Sequence, residues 1–304
     1  MLVIMNPVSG QVDHSERRQA VEAFLEARGV RFEVLETQEA GDARRWAMNA
    51  AQVDLVIASG GDGTIMEVMS GLIKNEHDIP LAQLPSGTAN LLARALGVPI
   101  VLEEALELAL NGVTVPLDVG YLPEKDLYFS LVAGAGWDAN LIQDASREVK
   151  NRLGFLAYVV TGIKNLFQLK RSRIRLSLDG ETKTFKAHTV LLINIGEILG
   201  TEFQLGEGMD PHDGRLNLAV ASPSSLGGIL KLVLRLIFKR FDSYRDLQYF
   251  TAEHVRVEAT PPLQIEIDGE PIGETPFEAQ VVPGGALLVV PQAYADIKGF
   301  ESAT

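Results

Sequence analysis

"SGGDGT", Ser59 to Thr64, sets a serine and three glycines around a single acid. The residues before it, "DLVIA" at 54–58, are nearly all apolar and read as a buried strand. A chain stripped of Cβ atoms turns tightly and brings its backbone N–H groups close to something bulky and anionic. The Gly-Lys-Ser/Thr ending of a P-loop is absent, and the glycine spacing is not that of a dinucleotide fingerprint. The acid carries the information. A carboxylate beside polyphosphate is repulsive unless a cation stands between them, and Mg2+ is held by one or two carboxylates plus phosphate oxygens. Asp62 therefore reads as a metal or acid/base residue, or more plainly as the cap of the next helix.

Outward from that stretch, the first part of the chain alternates apolar runs with helical spacing. Strands are predicted at 2–5, 32–35, 55–58 and 81–84, and helices at 15–28, 42–51, 65–75, 89–96 and 102–111. This alternation implies right-handed crossovers and an α/β domain whose mostly parallel sheet carries helices on both faces. Each strand runs into a loop of unusual composition: "NPVSG" at 6–10, "TQEAGDA" at 37–43, the glycine stretch, and "LPSGTAN" at 84–90. Ligands of open parallel sheets bind at the carboxyl ends of the strands, so four polar loops on that edge point to one nucleotide site. Singly, each loop reads equally well as an ordinary turn.

Past Pro116 the pattern changes. Short runs at 117–121, 128–133, 174–178, 183–195, 216–221, 254–258, 263–267, 277–282 and 286–291 are punctuated by Asp179-Gly180, Asp213-Gly214 and Asp268-Gly269, which reads as an antiparallel β-sandwich or barrel. Helical insertions are predicted at about 148–169 and 224–240. The expected division is an α/β domain over 1–118, with 292–304 available to complete it, and a β-sandwich over 119–291.

The 304 residues exceed one typical core. With no cysteine, disulfides, thiolate metal sites and a cysteine nucleophile are excluded, in keeping with a reducing compartment. The opening "MLVIMNP" reads as a first strand rather than an export signal. Lysine and arginine break every apolar stretch well short of the ~20 residues that cross a bilayer. A formal charge of −13 argues against nucleic-acid binding, and an approach to an anionic membrane must rely on a local basic patch.

Gly60-Gly61-Asp62-Gly63-Thr64 with Glu67, followed by Leu84-Pro85-Ser86-Gly87-Thr88-Ala89-Asn90, strongly resembles the bacterial diacylglycerol kinase catalytic family, soluble lipid kinases related to sphingosine and ceramide kinases. The first motif is shared with NAD kinases and the second separates the two. The resemblance continues through "NPVSG", Asp118 in "PLDVG", "AGAGWDA" at 133–139, "MDPHDGRL" at 209–216 and "IDGEP" at 267–271. It implies an ATP- and Mg2+-dependent kinase of the NAD kinase/diacylglycerol kinase-like fold, with ATP in the crevice between the domains. ATP-binding residues carried over are Asn6, Pro7, Ser9, Gly10, Thr37, Gly60, Gly61, Asp62, Gly63, Thr64, Glu67, Gly87, Thr88 and Asn90. Thr88 and Asn90 also read as caps of the helix that follows. Asp62 and Asp118 resemble the acids that organise catalytic Mg2+. The Asp213 segment resembles a second, structural metal loop with Asp210 and the Arg215 carbonyl, or else is a plain Asp-Gly turn. In "IDGEP", Glu270 resembles the base that takes the hydroxyl proton, with Asp268 in support. Two positions depart from the family: Gln11 where a basic residue is usual, and Met66 where Asn is usual. Arg17 or Arg18 can supply the missing charge.

The stretch 226–240 places Lys231, Arg235 and Lys239 on one stripe beside Ile229, Leu230, Val233, Leu234, Ile237 and Phe238, and 152–170 is similar. Each reads either as a membrane-interface helix or as a core helix. The expectation is a cytoplasmic enzyme, transiently peripheral at the inner membrane surface, that phosphorylates a lipid hydroxyl, diacylglycerol first. A homodimer through an edge strand or apolar helix is compatible with it. The rival readings are an NAD kinase, against which the absence of an NE/D-type stretch downstream speaks, and a nucleotide-binding regulator without turnover.

Overall fold

A computed structural model describes residues 1–10, 14–136, 171–196, 205–206, 208–223 and 225–300. Gln11, the end of the 133–139 stretch, the helix predicted at 148–169 and the apolar stretch 152–170 lie outside the described residues. Two compact units result, one formed by 1–117 with 284–300 and the other by the described residues from 118 to 283.

In the first unit, strands β1 (Leu2–Met5), β2 (Glu33–Glu36), β3 (Val56–Gly60) and β4 (Leu81–Pro85) form a parallel sheet in the order β2-β1-β3-β4. Helices α1 (His14–Ala27), α2 (Asp42–Met48), α3 (Asp62–Ile73), α4 (Leu91–Ala95) and α5 (Leu102–Asn111) connect and cover it. The central strands are buried on both faces, which explains their unbroken apolar runs. Val3, Met5, Ile57, Ala82 and Leu84 meet Val21 and Leu25 of α1 and Ala105, Leu106 and Ala109 of α5. Val56, Ala58 and Leu81 alternate to the other side, where α3 lies on β3 and β4 and α2 packs on α3. The chain leaves β1 toward β2 on one flank and resumes with β3 on the other. The carboxyl ends of β1 and β3 therefore bracket a topological switch point.

The second unit is an antiparallel sandwich. One sheet runs β12 (Leu247–Ala252), β11 (Leu216–Ala221), β10 (Thr189–Ile193), β7 (Val132–Ala135), β14 (Gln264–Ile267), β15 (Glu270–Glu274). Facing it are β9 (Glu181–Ala187), β8 (Ser172–Leu178), β13 (His254–Thr260) and the first half of β16 (Phe277–Val290), with β5 (Val113–Leu122) and β6 (Leu127–Phe129). Leu176, Val255 and Phe277 from one sheet and Val190, Leu218 and Ile265 from the other fill the core between them. The end of β16 belongs to the first unit, where Leu288 pairs in parallel with Leu81 of β4. Helix α6 (Leu226–Ile237) and the C-terminal helix α7 (Gln292–Lys298) complete the described elements.

The fold class is as expected, but several boundaries are corrected. The run 128–133 is two strands split by Ser130 and Leu131, and 183–195 divides at His188 into β9 and β10 of different sheets. The runs 277–282 and 286–291 are one strand, because Pro283-Gly284-Gly285 marks a change of pairing partner and not a hairpin. β12, β15 and α7 were not predicted. Helix α3 begins at Asp62, inside the glycine stretch, so the presumed loop is only Gly61 wide.

Candidate active site

Neighbouring atoms crowd Gly60 and Gly61, the first two glycines of the stretch. A Cβ on Gly87 would stand 2.6 Å from the Cα of Gly61, and one on Gly60 would strike the Thr64 side chain of the turn that follows. Gly10, at φ +95°, lies against the Ser86 carbonyl with no room for a side chain. Polar contacts lock the same three segments. Asn6 Nδ2 donates to Thr64 Oγ1 at 2.9 Å, Ser86 Oγ to Ser9 Oγ at 3.1 Å, and Ser86 N–H to the Gly60 carbonyl at 2.9 Å. Pro7 sits within the Asn6–Ser9 turn, closed by Ser9 N–H to the Asn6 carbonyl at 3.3 Å. The 37–43 segment joins them: Thr37 N–H donates to the Met5 carbonyl at 2.9 Å, and Glu67 Oε2 accepts the Gly41 N–H at 3.1 Å.

At the start of α3 the first backbone bond runs from Ile65 N–H to the Gly61 carbonyl, at 3.1 Å. The N–H groups of Asp62, Gly63 and Thr64 have no acceptor among the described residues, and Gly61 offers no capping side chain. A Cβ on Gly63 would meet nothing within 4 Å. Asp62 does not cap its own helix; its Oδ1 accepts the Leu92 N–H of α4 at 3.3 Å. Asn90 precedes α4 at φ 48° without capping it, and its Nδ2 donates to the Gly87 carbonyl at 2.8 Å. Thr88 is exposed and caps nothing, so the capping expectation fails for both residues.

The second unit assembles its own acids. Asp118, nearly buried on β5, accepts the Gly214 N–H at 2.6 Å, while its own N–H donates to the Pro211 carbonyl at 2.8 Å. Asp213 accepts the Arg215 N–H at 2.9 Å and donates its own N–H to the Asp210 carbonyl at 3.4 Å. Burial holds the Asp213 carboxyl above its usual range; the Arg215 N–H opposes this, and the charges of Asp118 and Asp210 add to the rise. A bound cation relieves this kind of repulsion. Among the described residues no three acidic or His side chains form a metal cluster, so the donor set here is carboxylates with backbone carbonyls, which suits a hard cation.

The "IDGEP" segment is the β14–β15 hairpin. Asp268 and Gly269 both have positive φ, 47° and 91°, as a type I′ turn requires. Glu270 opens β15, exposed and opposite Ile267. The Asp268 carboxylate accepts the N–H groups of Ser130, Leu131 and Val132 at 3.1, 3.1 and 2.9 Å, so it anchors the hairpin to the β6–β7 turn. That turn is tied in its turn to Asp118 by Asn194, whose buried Nδ2 donates to the Asp118 carbonyl at 2.7 Å and to the Ser130 carbonyl at 2.9 Å.

Residues 1–122 match the diacylglycerol kinase catalytic domain, and residues 131–290 match the YegS C-terminal NAD kinase beta sandwich-like domain. The chain belongs to the bacterial diacylglycerol kinase and YegS-like lipid kinase family. The diacylglycerol kinase of Bacillus subtilis strain 168 is 31% identical over 298 residues, 97% of each chain. The "Probable lipid kinase YegS" of Salmonella arizonae is 29% identical over 95% of each. A solved structure from Bacillus anthracis, assigned to the diacylglycerol kinases, superposes with a TM-score of 0.80 at 27% identity, covering 96% of this chain and 97% of that one.

In this lipid kinase family member, sequence reasoning missed Asn194, whose signal is only one polar residue ending an apolar run. Helix α6 has one buried side, and large apolar groups are exposed on it and just past its end. Leu232 is buried with Ala219, Ala221 and Leu247, whereas Leu234 and Phe238 are 43% and 68% exposed. Lys231 and Arg235 lie over the Tyr244 ring at 4.8 and 4.4 Å. Among the described residues no helix is long and apolar enough to cross a membrane.

Proposed function

We propose that this chain is an ATP- and Mg2+-dependent kinase that transfers the γ-phosphate to a lipid hydroxyl, with diacylglycerol as the acceptor. The observation that carries the nucleotide half is the uncapped start of α3: three backbone N–H groups without acceptors among the described residues, at a glycine whose Cβ position is open space. Such an end attracts phosphate oxygens. Asn6, Ser9, Gly10, Thr37, Gly87, Thr88 and Asn90 belong to the segments locked around it.

Mg2+, when bound, neutralises phosphate charge and leaves the transfer with little covalent chemistry to be done. Asp62 and Asp118 are the carboxylates we assign to it, and Asp210, Asp213 and the Arg215 carbonyl to a second, structural ion. Glu270, exposed at the head of its strand, takes the proton from the acceptor hydroxyl. Asp268, with both oxygens committed to backbone N–H groups, is a positioning residue for that hairpin. Exposed Leu234 and Lys231 of α6 support docking on lipid, and the motif resemblance to sphingosine and ceramide kinases widens the set of acceptors worth testing.

The test is transfer from labelled ATP, with Mg2+, to diacylglycerol, monoacylglycerol, phosphatidylglycerol, ceramide and sphingosine in mixed micelles, with NAD in parallel and Asp62→Ala as control. Label in diacylglycerol that vanishes with Asp62→Ala is the expected result. Label in NAD alone overturns the lipid reading, and ATP binding without transfer to any acceptor favours a regulator. Glu270→Gln is expected to abolish transfer while sparing ATP binding; undiminished turnover removes it as the base.

A further inference from the structure

Two arginines stand side by side in the first turns of α1, and their surroundings are opposite. Arg18 is neutralised: its Nε lies 2.8 Å from Glu22 and its Nη1 2.7 Å from Glu36, contacts that raise its pKa. Arg17, half-buried, donates from Nε to Ser59 Oγ at 3.0 Å and from Nη2 to the carbonyls of Leu84 and Pro85 at 3.1 and 3.2 Å. All three acceptors are neutral, Nη1 takes part in none of these bonds, and among the described residues no carboxylate lies against the guanidinium. Burial alone acts on its pKa, downward. Among the described residues, in a chain of net charge −13, no acid offsets this half-buried cation.

Its position is informative too. Ser59 opens the glycine stretch, and Leu84 and Pro85 open "LPSGTAN". The guanidinium thus lies across the carboxyl ends of β3 and β4, under the two segments that Gly61 and Gly87 press together.

We propose that Arg17 is the cation of the phosphate subsite in this chain, and that a nucleotide phosphate supplies its missing counter-charge. The inference rests on the nucleotide-binding reading of this edge. Two carbonyls and a hydroxyl fix one side of a planar fork, so the other side is oriented before a ligand arrives and little freedom is lost on pairing with phosphate. The charge usual at the position of Gln11 is then carried from the helix that follows. Arg18, already paired twice with glutamate, is excluded from the role.

Titration calorimetry with ATP and with adenosine, in Mg2+, tests this on the wild type, Arg17→Gln, Arg17→Lys and Arg18→Met. Gln keeps amide donors for the two carbonyls and removes the charge, so the segments stay tied; thermal unfolding of each variant checks this. Arg17→Gln is expected to weaken ATP about tenfold or more while adenosine affinity stays within about twofold, with Arg17→Lys intermediate and Arg18→Met like the wild type. Equal weakening of ATP and adenosine would show a structural staple and overturn the inference, as would unchanged ATP affinity in a folded Arg17→Gln. A wild type that binds no ATP brings down the nucleotide reading and this inference with it; ATP retained by both proteins removes only Arg17.

Discussion

Gly63→Ala separates what packing demands of the glycine stretch from what a ligand demands. Gly63 is the second residue of α3, its φ is not positive, and an added Cβ has nothing within 4 Å. Alanine is better than glycine in a helix by roughly 0.5–1 kcal/mol, so the variant is expected to be more stable, with Tm higher by about 2–4 °C. The same methyl group projects beside the three N–H groups that have no acceptor among the described residues. A phosphate there must move away, and KM for ATP is expected to rise about tenfold, equivalent to roughly 1.4 kcal/mol. Gly87→Ala is the contrast: its Cβ at 2.6 Å from the Gly61 Cα overlaps by about 1 Å, against ordinary carbon contacts of ~3.5–4 Å, and backbone cannot change rotamer to escape. A loss of about 1–3 kcal/mol and a lower Tm are expected, together with weaker ATP binding. Differential scanning fluorimetry with and without ATP, alongside steady-state kinetics, reads both quantities. A stabilised Gly63→Ala with unaltered ATP affinity would refute phosphate at this helix start, and a destabilised one would refute the open geometry.

Asn194→Asp keeps the volume but turns the donor toward Asp118 and Ser130 into an acceptor facing two buried carbonyls. Leaving two such groups unpaired costs on the order of 2–4 kcal/mol, so chemical denaturation is expected to begin earlier and transfer to fall; wild-type stability would show that the amide is dispensable. Tyr249 donates its hydroxyl to the Leu205 carbonyl at 2.9 Å, and burial, aided by Tyr244 and opposed by Arg235, pushes its pKa up to about 12. The folded form favours the neutral phenol. This contribution is therefore complete below pH ~10 and is lost as pH rises toward ~12, at most about 2–3 kcal/mol. Tyr249→Phe is expected to flatten that limb of the stability–pH curve, and an unchanged limb would assign it to other groups.

Elements whose physics is local were legible in the sequence. Helix α5 and strand β11 have the expected bounds because amphipathic spacing and a flanking Asp-Gly turn define them. The hairpin turns at Asp179-Gly180 and Asp268-Gly269 have the positive φ values that their residues favour. What stayed hidden depends on partners remote in sequence. The β9–β10 break falls inside an apolar run because the chain passes from one sheet to the other at His188, where both sides remain buried. β15 is an exposed edge strand of Glu, Pro and Gly, residues that guard an edge and disguise a strand. For the candidate site, the segments were visible as composition, but their mutual locking, the pairing of Arg18 and the bonding of Arg17 to neutral acceptors emerge only when β1, β3 and β4 are set side by side.

Strand β16 sets a timetable for synthesis. The first unit lacks its fifth parallel strand until Leu288 reaches Leu81. At roughly 5–20 residues per second, the ~170 residues between Leu117 and Leu288 emerge over on the order of 10–30 s. Throughout that interval β4 presents a bare, apolar edge to every neighbouring nascent chain. Truncation before Gly284 makes that interval permanent, so damage to a segment translated late falls on a unit translated well before it.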